Sequence, residues 1–138
     1  MAVRGLAGRD RPARAGLAVT VPAPGELPDV PGIDVAGTLS LLDGDAVLLD
    51  VREQNEWDAG HAPHAVHIPL GALSEATAWM SRQRRVVVVC RSGRRSTFAT
   101  AALRAAGVDA LNLTGGMQAW RDAGAEIVAD HGATPSVI

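Results

Sequence analysis

Apolar runs and amphipathic stretches alternate along the chain from Ile33 onward, which is the pattern of an α/β domain. The most apolar run is four consecutive valines at 86–89, typical of a strand buried on both faces in a parallel sheet. The pattern predicts strands at 32–34, 46–51, 66–68, 86–89 and 110–113. It predicts helices at 39–44, 73–80, 96–106 and 117–123, and a long loop from residue 52 to residue 65. Crossovers of this kind place helices on both faces of the sheet.

The length of 138 residues suits one domain with its own core, which we predict at residues 31–128. Residues 1–30 combine arginines with alanine, glycine and proline and have no continuous apolar core of the kind a secretory signal needs. They are predicted to form a flexible N-terminal tail, although a tail packed on the domain or on a partner subunit is an open alternative. Residues 129–138 are predicted as a C-terminal tail.

Charge and composition narrow the classes of partner and compartment. The formal net charge of −2 gives no reason to expect nucleic acid or an anionic membrane as a partner. No apolar run reaches the roughly eighteen residues of a membrane-spanning helix. One cysteine permits no intrachain disulfide, which fits a reducing compartment and predicts a cytoplasmic location. All 13 basic residues are arginines, which we attribute to a GC-rich bacterial genome. The histidine spacing suggests no metal site, and no cofactor is expected.

The single cysteine, Cys90, directly follows the valine strand and precedes the helix predicted from Ser96. It therefore lies at the carboxyl end of a parallel strand, where open α/β sheets bind ligands. The loop that follows it comprises Arg91, Ser92, Gly93, Arg94 and Arg95. Loop amides, a helix N-terminus and guanidinium charges all stabilise an anion, so this loop favours a reactive thiolate. The alternative is a buried structural cysteine, which the three arginines and the glycine make the weaker interpretation.

Three more segments accompany the cysteine loop and together carry a family resemblance. The four segments are LLDVRE with EW at 48–57, GHAPHAVHIPL at 60–70, CRSGRRS at 90–96 and LTGGMQAW at 113–120. In this order and at this spacing, over about residues 30–128, they resemble the single-domain rhodanese family. The resemblance implies a three-layer rhodanese-like fold with a central parallel sheet of about five strands. It also implies sulfur transfer, in which the cysteine takes sulfane sulfur from a donor such as thiosulfate and holds it as a persulfide. The acceptor is then cyanide or a thiol, including a protein thiol.

Within that resemblance Cys90 is the nucleophile that attacks the outer sulfur of the donor. The substrate-binding loop consists of Arg91, Ser92, Gly93, Arg94, Arg95 and Ser96, whose amides are expected to hold the transferred sulfur or the donor's oxygens. Arg91 and Arg94 are candidates for binding a doubly anionic donor, because a guanidinium fork matches its oxygens. For each of them a solvated surface charge is the alternative. Arg95 is expected to turn inward and brace the loop.

Asp50 and Arg52 lie at the end of a strand expected beside the catalytic one. Charged groups there need partners, so Asp50, Arg52, Glu56 and Arg95 are expected to form one network that supports the loop rather than taking part in the chemistry. His61 is interpreted as part of a structural turn rather than as a general base, because a thiolate stabilised by its loop needs no base. Trp57 and Trp120 are interpreted as packing residues.

The chain departs from the family pattern in one turn. Where the family has Gly-His-Ile-Pro-Gly-Ala, this chain has Ala62 and His64 in place of the isoleucine and the second glycine. If that glycine position needs a positive φ, His64 must tolerate it, which histidine does better than most residues.

Two other functions remain open beside sulfur transfer. Cysteine-dependent phosphatases carry an arginine six residues after the cysteine, whereas here Ser96 holds that position and the arginine comes one residue earlier. A phosphatase or arsenate reductase is therefore a minor alternative. A non-enzymatic binding, regulatory or sulfur-relay module on the same fold is the other alternative, since fold and motif do not specify the acceptor.

Overall fold

The computed structural model describes residues 26–77, 80 and 82–138. Strands and helices alternate along this part of the chain. The strands are β1 (Gly32–Ile33), β2 (Val47–Asp50), β3 (Val66–His67), β4 (Val86–Val89) and β5 (Ala110–Leu113). The helices are α1 (Val35–Leu42), α2 (Gln54–Ala59), α3 (Leu73–Ala76), α4 (Arg94–Ala105) and α5 (Gly116–Asp122), with 3₁₀ turns at Leu70–Ala72 and Asp130–Gly132.

The five strands form one parallel sheet in the order β1-β5-β4-β2-β3, with β4 at its centre. Asp50 at the end of β2 is opposite Val89 at the end of β4. The residue that follows each of these strands therefore lies at the same edge of the sheet. This architecture confirms the predicted α/β fold and the sheet of five strands.

The four valines of β4 join the two halves of the core, because successive side chains of a strand point to opposite faces. All four are at most 3% exposed. One face carries Leu49, Val86, Val88, Ala99 and Leu103 among its core residues. The other face carries Leu48, Val87, Val89, Met117 and Trp120 among its core residues. Helices α3 and α4 thus cover one face of the sheet, and α1 and α5 cover the other. The cysteine therefore directly follows the most deeply buried strand of the sheet, β4.

The prediction of an uninterrupted loop from residue 52 to residue 65 is wrong, because Gln54–Ala59 form α2. The helix is only six residues long and lacks a strong apolar period. It begins instead with a capping box, in which the backbone N–H of Glu53 donates to the Glu56 carboxylate at 3.0 Å. Glu56 therefore has a structural role at the start of this helix.

Two other helices differ from their predicted bounds. Helix α4 begins at Arg94, two residues before the predicted start, because Gly93 at its N-cap has a left-handed conformation. Helix α3 ends at Ala76, and part of the helix predicted to residue 80 lies outside the described residues.

The segment predicted as a C-terminal tail contacts the domain next to α2. The N–H of Ser136 donates to the carbonyl oxygen of Ala59 at 2.9 Å. Just before this segment, His61 and Val128 exchange two backbone hydrogen bonds of 2.9 and 2.8 Å. Residues 1–25 of the predicted N-terminal tail lie outside the described residues. Across the described ranges, no helix has the length and apolar character to cross a membrane.

Candidate active site

Cys90 lies between the end of β4 and the first turn of α4, with only 1% of the residue exposed. Its Sγ accepts hydrogen bonds from the backbone N–H of Gly93, at 3.2 Å, and of Ser96, at 3.3 Å. Gly93 has a φ of +106°, a conformation that glycine adopts without strain, and this turn folds the loop back over the sulfur. The first N–H groups of a helix have no intrahelical acceptor, so they are available to the sulfur. The loop therefore presents two backbone donors to any charge on Sγ.

Two backbone hydrogen bonds connect the start of α5 to the cysteine loop. The N–H of Met117 donates to the carbonyl oxygen of Cys90 at 2.8 Å, and the N–H of Gln118 donates to that of Arg91 at 3.0 Å. Gly116 has a φ of +59°, and a Cβ placed there would collide with the carbonyl oxygens of Cys90 and Arg91. Gly116 of the LTGGMQAW segment thus allows two backbones to approach closely. In the sequence, this segment carries part of the family resemblance, and its physical role follows from the contact of Gly116.

A group of polar side chains lies beside the sulfur, between α4 and β5. The Ser96 Oγ is 3.3 Å from the Cys90 Sγ and 2.6 Å from the Oδ1 of Asn112. The Nδ2 of Asn112 is 3.1 Å from the Oγ1 of Thr97, which donates to the carbonyl oxygen of Gly93 at 2.6 Å. Asn112 and Thr97 are site residues that motif comparison missed, since they belong to the strand and the helix rather than to the cysteine loop.

The outer part of the loop is open to solvent. Arg91, Ser92 and Arg94 are exposed, whereas Gly93 is half-buried and Ser96 is buried. Within the described part of the chain, the side chains of Arg91 and Arg94 have no hydrogen-bond or ion-pair partner. Both guanidinium groups are therefore exposed and able to meet an anion from solvent.

The Arg95 side chain is directed to Glu56 instead. Its Nη1 and Nη2 each donate to one carboxylate oxygen of Glu56, at 2.7 Å. Chiefly this hydrogen bonding lowers the pKa of Glu56 from its ordinary value, although burial opposes the shift. The pKa of Arg95 is raised, chiefly by its hydrogen bonds with Glu56, although burial opposes this shift as well. Arg95 therefore ties the first turn of α4 to α2.

Asp50 and Arg52 form a second ion pair, which is fully buried. The Nε of Arg52 donates to both carboxylate oxygens of Asp50, at 3.0 and 3.1 Å, and its Nη2 donates to Oδ2 at 2.8 Å. The same Nη2 donates to the carbonyl oxygen of Gly60 at 2.8 Å. Among the described residues no hydrogen bond joins this pair to Glu56 and Arg95. The four residues thus form two hydrogen-bonded pairs, and the charge of Arg52 makes a smaller contribution to the lowered pKa of Glu56.

His61, the first histidine of the GHAPHA turn, packs against Trp57. The ring of His61 stacks on Trp57 with centroids 3.6 Å apart, and its nitrogens lie 3.1 Å from the Ala62 carbonyl oxygen and 3.4 Å from the Asp130 carboxylate. His64 has a φ of +64°, so the position where the family has glycine does require a left-handed residue here. No group of three or more histidine, cysteine or carboxylate side chains capable of holding a metal occurs in the described ranges.

Comparison with known proteins agrees with this geometry. The family model of the rhodanese-like domain matches residues 36–123, which include both ion pairs, the cysteine loop and the glycine pair. The chain belongs to the rhodanese-like domain family. Its resemblance to the rhodanese family in sequence is thereby confirmed.

Several of the similar proteins are named as sulfurtransferases or as rhodanese-related proteins. This rhodanese-like domain is 38% identical over 78 residues to a putative sulfurtransferase of Bacillus subtilis, a match that spans 56% of this chain and 76% of the relative. It is 32% identical over 83 residues to a thiosulfate sulfurtransferase of Pseudomonas savastanoi, across 59% of this chain and 78% of the relative. A rhodanese-related protein of Thermoplasma volcanium has a crystal structure with a TM-score of 0.68 and 28% identity, covering 72% of this chain and 99% of that one. These relatives support sulfur transfer as the general class of activity.

Proposed function

We propose that this rhodanese-like domain is a sulfurtransferase that takes sulfane sulfur from an anionic donor such as thiosulfate and carries it on Cys90 as a persulfide. The observation that supports this most strongly is the pair of backbone N–H groups that converge on the Cys90 sulfur. They stabilise a negative charge on sulfur without supplying a proton, which is what a nucleophilic thiolate and a persulfide anion require.

The reaction has two steps. The Cys90 thiolate attacks the outer sulfur of thiosulfate; a new S–S bond forms, and the S–S bond of thiosulfate breaks. Sulfite leaves with the electron pair of the broken bond, and the outer sulfur of the persulfide carries the negative charge. Cyanide, a small thiolate or a protein thiolate then attacks that outer sulfur and releases the Cys90 thiolate. No net oxidant is needed, because the sulfane sulfur moves between nucleophiles.

The arginines divide between binding and support in this proposal. Arg91 and Arg94, exposed and unpaired within the described residues, bind the oxygens of the donor. Asp50, Arg52, Glu56 and Arg95 hold the surrounding elements in place through their two ion pairs. A persulfide is sensitive to oxidation. The proposal therefore includes a location in the reducing cytoplasm, which is the compartment expected from the single cysteine.

The position of Arg95 argues against phosphoryl chemistry. A cysteine-dependent phosphatase needs a guanidinium within its loop to bind the phosphate oxygens, whereas both terminal nitrogens of Arg95 are occupied by Glu56.

Parallel assays test the proposal. Thiocyanate formation from thiosulfate and cyanide is measured beside hydrolysis of an aryl phosphate, with Cys90→Ser as the control. We expect thiocyanate formation that the Cys90→Ser variant lacks, and negligible phosphate release. Aryl phosphate hydrolysis that depends on Cys90 and matches the rate of sulfur transfer would overturn the proposal.

A further inference from the structure

Asn112 links the cysteine loop to the adjacent strand β5. In the sheet it is opposite Val88, two residues before Cys90. Its side-chain amide contacts Ser96 and Thr97 in the first turn of α4, and its Nδ2 is 3.5 Å from the carbonyl oxygen of Gly93. It therefore meets the residues that surround the sulfur without contacting the sulfur itself.

The hydroxyl of Thr97 fixes the orientation of the Asn112 amide. A hydroxyl has one proton to donate, and Thr97 donates its own to the Gly93 carbonyl oxygen at 2.6 Å. The Oγ1 of Thr97 can then only accept at its contact with Asn112, so it must face the NH₂ group of that amide. The amide oxygen of Asn112 consequently faces Ser96.

This orientation decides where the Ser96 proton goes. The Ser96 hydroxyl lies 2.6 Å from the Oδ1 of Asn112 and 3.3 Å from the Sγ of Cys90, and its single proton can serve only one of them. The amide oxygen is nearer and is a stronger acceptor than a neutral thiol sulfur. Ser96 therefore donates to Asn112 and turns a lone pair towards the sulfur, where it accepts the S–H of the neutral thiol.

We propose that Asn112 is a positioning residue that sets the direction of the Ser96 hydroxyl and thereby restrains thiolate formation at Cys90. When the thiol loses its proton, the Ser96 hydroxyl turns from Asn112 to the sulfur, and the amide oxygen loses its donor. That lost hydrogen bond opposes ionisation. If Cys90 carries a persulfide, as in the function proposed above, the charge moves to the outer sulfur and the hydroxyl returns to Asn112.

Alkylation of Cys90 by iodoacetamide tests this inference without any sulfur donor. Cys90 is the only cysteine, so the mass gain reports on this thiol alone. At slightly acidic pH, where few thiols are ionised, Asn112→Leu is expected to raise the alkylation rate about fivefold. The reason is that the Ser96 hydroxyl no longer has to give up a hydrogen bond to Asn112 before it donates to the thiolate. In a Ser96→Ala background the same substitution is expected to have no effect.

Two results would overturn the inference. One is an Asn112→Leu rate no higher than that of the unsubstituted protein; the other is an equal rise in the Ser96→Ala background, which would indicate a general loosening of the loop. If Asn112→Leu does not fold, Asn112→Ala takes its place in both backgrounds, and the same two results overturn the inference. A protein that takes up no sulfur but shows this alkylation pattern would refute the proposed function while leaving the role of Asn112 intact.

Discussion

Arg95 and Glu56 are joined by two parallel hydrogen bonds of 2.7 Å that connect the first turn of α4 to α2. This pair holds in place the helix that supplies Ser96 to the sulfur. It also makes the stability of the domain depend on pH in the acid range.

Protonation of Glu56 is expected to destabilise the fold. Because its pKa is lowered in the folded state, its contribution to the free energy of unfolding is complete above the ordinary value of 4.5 and is lost as the pH falls through the folded-state pKa. Glu56→Gln should therefore lower the free energy of unfolding by about 1 kcal/mol at neutral pH. Urea unfolding of both proteins between about pH 7 and pH 3.5 should show the difference shrinking on the acid side. A difference that is constant with pH would contradict this account.

Gly116 and Gly124 offer a matched test of the close approach behind the cysteine. Both have a positive φ, but a Cβ at Gly124 meets no heavy atom within 4 Å, whereas at Gly116 it meets the carbonyl oxygens of Cys90 and Arg91. Gly124→Ala is expected to lower the free energy of unfolding by about 1 kcal/mol and to leave sulfur loading unchanged. Gly116→Ala should cost at least about 2 kcal/mol more and reduce loading sharply. Equal effects of the two substitutions on unfolding and loading would exclude the role assigned to Gly116.

The contrast between these elements shows what the amino-acid sequence alone could predict. The valine strand and the cysteine loop are local patterns, so the position of Cys90 at the end of a buried parallel strand followed from them. The role of Gly116 depends on a contact between segments more than twenty residues apart, which no local pattern encodes. Helix α2 was missed because its start is stabilised by the Glu53–Glu56 capping box rather than by an apolar period.

The Asp50–Arg52 pair is expected to be a strong determinant of stability. Both side chains are 0% exposed, so Arg52→Ala leaves the Asp50 carboxylate buried without its positive counter-charge, and only the backbone N–H of residue 52 still donates to it. We expect a loss of about 3–5 kcal/mol in the free energy of unfolding. The exposed pair Arg85–Asp109 serves as the control, and Arg85→Ala should cost less than about 1 kcal/mol. Similar losses in urea unfolding for the two variants would show that burial of the first pair does not matter.

Arg91 and Arg94 are expected to select for a charged donor. Replacing either with alanine should lower kcat/KM for thiosulfate about fivefold while changing the use of a neutral polysulfide much less, because only thiosulfate carries charged oxygens to bind. Added salt should make this loss in kcat/KM for thiosulfate smaller, because it screens the attraction between the arginines and the donor. Arg121→Ala, at an exposed position on α5, is the control for a general loss of positive charge. Equal losses for both donors would mean that the two arginines shape the loop instead of binding the donor.

Intact mass spectrometry of the reduced protein tests the central claim most directly. The mass is recorded before and after thiosulfate and again after cyanide, with Cys90→Ser treated in the same way. A sulfurtransferase gains the mass of one sulfur atom on treatment with thiosulfate, loses it to cyanide, and shows neither change in the Cys90→Ser variant. No gain with thiosulfate or with polysulfide, or an equal gain in the variant, would contradict a persulfide on Cys90.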